Sequence, residues 1–120
     1  MSRARVILGK TGEDLACAEL ERRGYEIVDR RYRQRDGELD IVARDGPTLV
    51  FVEVKTRRGG AFGGAAEAVT ARKQRRIAGL ALGYLTRHHL GDVACRFDVV
   101  SIQFDGGPAR VEVFKNAFDA

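Results

Sequence analysis

A pair of strand-like segments around a short turn limits the possible folds of this chain more than any other stretch. Glu38–Ala43 and Thr48–Thr56 have the alternation of a strand, and Arg44-Asp45-Gly46-Pro47 lies between them. Asp-Gly between two such segments is a strong β-hairpin signal. The sequence therefore predicts two antiparallel strands joined by a tight Asp45-Gly46 turn.

The predicted hairpin sorts its side chains onto two different faces. An Asp45-Gly46 turn pairs Arg44 with Pro47, and this register sets further residues opposite each other: Val42 and Leu49, Asp40 and Phe51, Glu38 and Glu53. One face is then wholly apolar and must be buried, with Leu39, Ile41, Ala43, Val50, Val52 and Val54. The open end of the other face collects charged residues: Glu38, Asp40, Glu53 and Lys55. Strands do not need such a concentration of charge for their structure.

The other elements complete an α/β pattern. A helix should begin near Thr11, which can cap it, and end at Gly24, which can adopt the left-handed stop conformation. Thr70 is a good cap for a second helix that runs to about His89. The predicted strands outside the hairpin are Tyr25–Arg33, Cys95–Phe104 and Ala109–Phe114. The order αβββαββ predicts a central mixed β-sheet flanked by α-helices, in one domain spanning residues 1–120.

Composition is compatible with a single cytoplasmic domain. The chain has 120 residues, of which 44% are hydrophobic and 32% charged. Met1–Lys10 contains only a short apolar run, so we expect neither a signal peptide nor membrane contact. Cys17 and Cys95 lack nearby zinc-binding partners, and we expect both to be reduced core residues. The net charge of +4 permits a polyanionic partner.

The carboxylates at the open end of the hairpin suggest a metal site. Close carboxylate pairs repel each other by roughly 1–4 kcal/mol, so a cation should compensate them. Mg²⁺ prefers oxygen ligands and commonly binds one or two carboxylates together with substrate phosphate oxygens. Lys55 shares a face with Glu53 and suits the stabilisation of charge on a phosphate. The alternative is an ordinary Glu53–Lys55 ion pair beside a solvated strand end that carries Glu38 and Asp40.

Glu13 is a second unusual carboxylate. It falls on the inward stripe of the first helix, together with Ala16, Cys17 and Leu20, where a solvent-facing side chain is not expected. Its charge would stabilise the first turn of a helix that begins at Thr11. The alternative is that Glu13 approaches the carboxylates of the hairpin.

Basic residues suggest a surface for nucleic acid. The basic cluster, which we define as Arg72, Lys73, Arg75 and Arg76, begins the second helix, where the helix dipole favours anions. Phosphate binding would explain it, and a solvated helix face is the alternative. Lys73 also continues the inward stripe of this helix toward the sheet. Arg57 and Arg58 extend the basic surface into the glycine-rich run 57–64, in which Phe62 either stacks on a base or anchors a plain linker.

The hairpin also carries a family resemblance. The segments Gly37-Glu38-Leu39-Asp40-Ile41-Val42-Ala43 and Leu49-Val50-Phe51-Val52-Glu53-Val54-Lys55-Thr56-Arg57 resemble the YraN-like family. That family is similar to archaeal Holliday junction resolvases within the restriction-endonuclease-like superfamily, whose motif is D-x(n)-E-x-K. The resemblance extends to Gly12-Glu13, to 68–70 with Lys73, and to 96–100. Leu39 stands where the best-known form of the motif has proline.

The resemblance implies roles for particular residues. Asp40 and Glu53 would bind Mg²⁺ or Mn²⁺, Lys55 would be the catalytic lysine, and Glu13 would complete or orient the metal site. Glu38 would be auxiliary. The implied activity is endonucleolytic hydrolysis of phosphodiester bonds, in DNA and with structure selectivity, and a homodimer is compatible with it. The alternatives are a noncatalytic nucleic-acid-binding module with the nuclease fold and an assembly subunit whose carboxylates are structural.

Overall fold

The computed structural model describes the backbone of residues 3–58 and 69–119, and the side chains of these ranges from residue 11 onward. Its elements are α1 (Arg3–Arg22), β1 (Glu26–Gln34), β2 (Gly37–Asp45), β3 (Thr48–Arg58), α2 (Ala71–Arg87), β4 (Cys95–Phe104) and β5 (Arg110–Phe114). This is the predicted order, and the predicted bounds of β4 are the observed ones. The α/β, restriction-endonuclease-like class is therefore confirmed.

The five strands that the structure describes form one mixed sheet in the order β1-β2-β3-β4-β5. Among these strands β3 and β4 are the parallel pair, and α2 supplies the crossover that such a pair requires. The buried apolar residues form two clusters. One packs around α2 and contains Leu39, Val42, Leu49, Phe51, Val69, Ile77, Leu80, Ala81, Tyr84, Val99 and Phe118. The other packs around α1 and contains Ala16, Cys17, Leu20, Tyr25, Ile41, Ala43, Val50, Val52, Val100 and Ile102.

Helix α1 buries the predicted stripe of Ala16, Cys17 and Leu20, but it begins earlier than predicted. It starts at Arg3 instead of Thr11, because nothing in the preceding segment, which contains no proline, interrupts a helix. Its end is as predicted, with Gly24 at a φ of +93° in the left-handed region. At the start of α2, the Thr70 hydroxyl accepts a hydrogen bond of 3.2 Å from the Lys73 backbone N–H, which confirms Thr70 as the cap.

The hairpin turn lies one residue later than predicted. Its central residues are Gly46 and Pro47, so that Asp45 pairs with Thr48 and Ile41 pairs with Val52. Proline has no N–H with which to close the turn, whereas Gly46, at a φ of +61°, suits the first central position. The predicted register is therefore wrong by two residues. A shift of two keeps side chains on their faces, and it brings Glu53 instead of Phe51 beside Asp40.

One residue of the predicted apolar face lies on the other side of the sheet. Leu39 packs in the α2 cluster, whereas Ile41 packs in the α1 cluster. The change of face coincides with Arg31 on the neighbouring strand, which has a left-handed φ of 52°. Strand β1 changes face at the same point, since Arg30 pairs with Ile41 and Tyr32 pairs with Leu39. Asp40 lies at this irregular position of β2.

Three further expectations can be compared with the fold. Cys17 and Cys95 are both free, and Cys17 is buried, but Cys95 is exposed at the first position of β4, so its assignment to the core was wrong. None of the helices within residues 3–58 and 69–119 is long and apolar enough to cross a membrane. Phe62 and most of the glycine-rich run lie outside the described residues.

Candidate functional site

Two carboxyl groups meet where β2 and β3 separate. Asp40 Oδ2 accepts a hydrogen bond of 2.8 Å from the Val54 backbone N–H, and the Asp40 and Glu53 carboxyl groups are in hydrogen-bond contact. The Glu53 side chain is buried. A crevice of about 10 Å³ opens beside them, which is room for about one water-sized particle. It is lined by Glu38, Leu39, Asp40, Val52, Glu53 and Ile77.

The two carboxyl groups share one proton. Burial raises the pKa of Asp40 to about 9, and the hydrogen bond and negative charge of Glu53 add to the effect. Burial also acts to raise the pKa of Glu53, but its contact with Asp40 and the nearby charge of Lys73 outweigh burial and hold that pKa below its usual value. At neutral pH the pair therefore holds one proton between its two carboxyl groups and carries one negative charge.

Two lysines face this pair of carboxyl groups. Lys73 Nζ, from α2, lies 2.7 Å from Glu53 Oε2. The approach is an ion pair by distance but lacks the alignment of a hydrogen bond, so this buried oxygen has no hydrogen-bond donor among the described residues. Burial and the neighbouring Lys73 lower the pKa of Lys55. Burial opposes the charge of Lys73 as well, but its contact with Glu53 raises the pKa of Lys73 overall.

The donor set at this point fits a divalent cation. Two adjacent carboxyl groups hold a proton that a metal ion would replace, and buried Glu53 Oε2 accepts no aligned hydrogen bond from the described residues. Within the described part of the chain, no group of three Asp, Glu, His or Cys side chains is placed to hold a metal. Mg²⁺ commonly binds only one or two carboxylates and keeps several waters, so Asp40 and Glu53 suffice as its protein ligands.

Glu13 lies close to the pair but has other partners. It is buried on α1, where its carboxylate accepts hydrogen bonds of 3.1 and 3.3 Å from Arg31 Nε and lies 3.4 Å from Arg30 Nη2. Its charge contributes to the raised pKa of Asp40. Because α1 begins at Arg3, Glu13 lies well inside the helix, and the first-turn explanation is wrong. Glu13 is therefore close enough to act on Asp40 by its charge, while its carboxylate is held by Arg30 and Arg31.

A glycine sets the approach of α1 to the site. A Cβ atom at Gly12 would overlap Thr56 Oγ1 on β3, so the helix can come this close only without a side chain there. Thr56 directly follows Lys55, and Gly12 directly precedes Glu13. The close contact therefore fixes the distance between the Glu13 carboxylate and the strand that carries Glu53 and Lys55.

The remaining predicted residues surround the crevice. Glu38 lines it and pairs with Arg33, at 3.3 Å between Glu38 Oε2 and Arg33 Nη2.

At the first turn of α2, an open depression of about 220 Å³ is lined by Thr70, Arg72, Lys73 and Arg76. Arg75 of the basic cluster is exposed, and at the end of β3 Arg57 is half-buried and Arg58 exposed. Lys73 is the member of the cluster that reaches the carboxylates, as its helical stripe predicted.

Sequence reasoning missed a buried ionic network on the α1 side of the sheet. Asp98 is fully buried and accepts hydrogen bonds from Tyr25 Oη at 2.8 Å, Arg96 Nε at 2.9 Å and the Asn116 backbone N–H at 3.0 Å. Arg96 also donates to Asp45 at 2.9 Å. A lone aspartate within an apolar strand was the available signal. The network ties the hairpin turn to β4 and to the segment after β5.

Comparison with known proteins identifies the family. Residues 12–102 match the model of "Uncharacterised protein family UPF0102". The chain is 56% identical over 114 residues to a UPF0102 protein of Geobacter sulfurreducens, covering 94% of this chain and 89% of the relative. It is 49% identical over 117 residues to a UPF0102 protein of Frankia casuarinae, covering 97% and 99% of the two chains. The chain therefore belongs to UPF0102, the YraN family that its hairpin motifs resemble.

Proposed function

We propose that this protein is a divalent-metal-dependent endonuclease that hydrolyses phosphodiester bonds in DNA at the Asp40–Glu53 site. The observation that supports it is the contact between these two carboxyl groups, opposite the ammonium groups of Lys55 and Lys73. The pair raises the pKa of Asp40, and among the described residues the buried Glu53 Oε2 has the Lys73 ammonium beside it without an aligned hydrogen bond. A site that binds a cation accounts for both effects.

The chain's own residues would divide the work. Asp40 and Glu53 would hold Mg²⁺ or Mn²⁺, which when bound supplies Lewis acidity and activates water for attack on phosphorus. Lys55 is half-buried beside Glu53, so its positive charge acts in a medium less polar than water. It would stabilise negative charge developing on the phosphate. Glu13 and its two arginines would keep the Asp40 side of the site in position.

The surrounding basic residues would bind the DNA backbone. Arg72 and Arg76 line the depression beside Lys73, while Arg57 and Arg58 end the strand that carries Glu53. Contacts of this kind fix the position of a nucleic acid without reading its bases. The nuclease would therefore select substrates by the shape of the backbone, such as a branch or a flap, more than by sequence.

A cleavage panel tests this function. Labelled duplexes, single strands, flaps and four-way junctions are incubated with the protein and either Mg²⁺ or Mn²⁺. Glu53→Gln removes a ligand, and Glu112→Gln on β5, which is exposed, is the matched control. We expect the wild type and Glu112→Gln to cleave, and Glu53→Gln to be inactive.

Two results would contradict the proposal. Equal cleavage by Glu53→Gln would show that the activity belongs to another site or to a contaminant. Binding of DNA without cleavage in either metal, across the whole panel, would instead favour a noncatalytic nucleic-acid-binding module.

A further inference from the structure

Lys73 contacts the carboxylate site and also lines the basic depression. Its ammonium lies 2.7 Å from Glu53 Oε2, and its side chain also lines the basic depression with Thr70, Arg72 and Arg76. Its backbone N–H is fixed by the Thr70 cap, so the side chain extends from an anchored point. Because 30% of that side chain is exposed, the ammonium is not enclosed at Glu53.

In the contact between Lys73 and Glu53, the carboxylate oxygen accepts no aligned hydrogen bond from the described residues. Glu53 is buried, and its Oε2 has the Lys73 ammonium nearby without an aligned hydrogen bond. Removing either charge would leave the other inside a half-buried site, which is costly. Lys73 therefore acts as a counter-ion for Glu53, through a contact that a better ligand for the same oxygen could replace.

A cation at Glu53 and the ammonium of Lys73 exclude each other. A divalent cation repels an ammonium group at a given separation twice as strongly as a single positive charge would. The depression lies beside the site and is lined by Arg72 and Arg76, and none of its lining residues in the described part of the chain is acidic. An ammonium released from Glu53 would join these cations, where a phosphate is the matching ligand.

We propose that Lys73 is a displaceable counter-ion, which neutralises Glu53 until a divalent cation binds and then moves to contact a backbone phosphate in the basic depression. This inference rests on the proposed function, because it requires the metal site. It adds that the metal and the nucleic acid bind cooperatively through one side chain. Such coupling is reciprocal, so each ligand raises the affinity for the other by the same factor.

The first experiment measures metal affinity without nucleic acid. Mn²⁺ is titrated calorimetrically into the wild type, Lys73→Met and Lys73→Gln, with Lys115→Met as the matched control on an exposed lysine. Both Lys73 variants lack the competing ammonium, and we expect them to bind Mn²⁺ about tenfold more tightly than the wild type, the change that loss of one weak ion pair produces. Lys115→Met should bind like the wild type.

The second experiment needs no metal. In chelator, binding of a short labelled DNA duplex is measured for the wild type, Lys73→Met, Glu53→Gln and the double variant. While Glu53 holds Lys73, loss of the lysine should weaken binding less than about twofold. Once Glu53→Gln has released the lysine, the same loss should weaken binding about fivefold, a non-additivity typical of residues in contact.

The outcomes separate this inference from the nuclease proposal. Equal or weaker Mn²⁺ binding by both Lys73 variants, or additive effects in the second experiment, would overturn the displacement and leave a nuclease with a fixed lysine. If neither the wild type nor any Lys73 variant binds Mn²⁺, the metal site and the displacement both fail. Tighter Mn²⁺ binding in both variants together with non-additive DNA binding would support the inference.

Discussion

Replacing Asp40 with asparagine should stabilise the metal-free protein while it destroys the metal site. The asparagine oxygen can accept the hydrogen bond from Val54, and its amide can donate to Glu53, as the protonated acid does. Asparagine has no proton to lose. It therefore avoids the cost of placing a second negative charge beside Glu53.

The magnitude follows from the pKa of Asp40, which is 3.8 for the free side chain and about 9 in the fold. Below pH 3.8 the carboxyl group is protonated in both the folded and unfolded states. In that range the free energy of unfolding should depend on pH equally in the wild type and in Asp40→Asn. As pH rises, the unfolded chain releases this proton first, so the wild type loses stability by up to about 1.4 kcal/mol per pH unit. At pH 7 the upper limit is about 4 kcal/mol, and we expect about 2–4 because Lys55 and Lys73 offset part of the cost.

Urea denaturation from pH 4 to pH 9 in the presence of a chelator measures this difference. Asp92→Asn is the control, because Asp92 is exposed. The advantage of Asp40→Asn over the wild type should grow with pH, and Mg²⁺ should stabilise the wild type alone. An Asp40→Asn protein that is less stable at pH 8, or a difference independent of pH, would refute the shared-proton reasoning.

Three further changes test the fold and its basic surface. Gly12→Ala should overlap Thr56 and cost about 1–3 kcal/mol of unfolding free energy in urea denaturation, with partial rescue by Thr56→Ala; full stability would disprove the close contact. Tyr25→Phe removes a donor to buried Asp98 and should cost about 1–3 kcal/mol by the same assay, whereas a neutral change would show the network to be dispensable. Neutralising the three arginines of the basic cluster should flatten the salt dependence of DNA binding by about one unit of slope per lost phosphate contact. The charge-matched control replaces Arg22, Arg23 and Arg110 with glutamine. An unchanged slope in the cluster variant would show that the basic cluster is a solvated helix face that does not contact phosphate.

The sequence predicted most of the fold because its signals are local. Alternation in the hairpin placed Glu53 and Lys55 on one face, and this result survived a register error of two residues, since side chains return to the same face at every second position. Helical spacing likewise pointed Lys73 toward the sheet, and the ion pair with Glu53 agrees with it. The position of the turn could have been predicted from one further rule. Proline has no backbone N–H, so Pro47 cannot make the hydrogen bond that closes a turn.

The sequence did not predict contacts that depend on distant residues. Tyr25 and Asp98 are 73 positions apart, and no local period brings them together. The pairing of Glu13 with Arg31 depends on a left-handed backbone at that arginine, an uncommon conformation for a residue with a side chain. The shared proton of Asp40 and Glu53 could not be predicted either, because it requires their burial and the shifted register.

A titration with Mn²⁺ tests most directly whether Asp40 and Glu53 share a cation. The wild type, Asp40→Asn, Glu53→Gln and Lys55→Met are compared by electron paramagnetic resonance of the free ion, after each is shown to be folded. We expect one Mn²⁺ per chain in the wild type and in Lys55→Met, which should bind the ion without cleaving DNA, and none in the two carboxylate variants. Equal binding by all four proteins, or no binding by the wild type, would contradict the metal site.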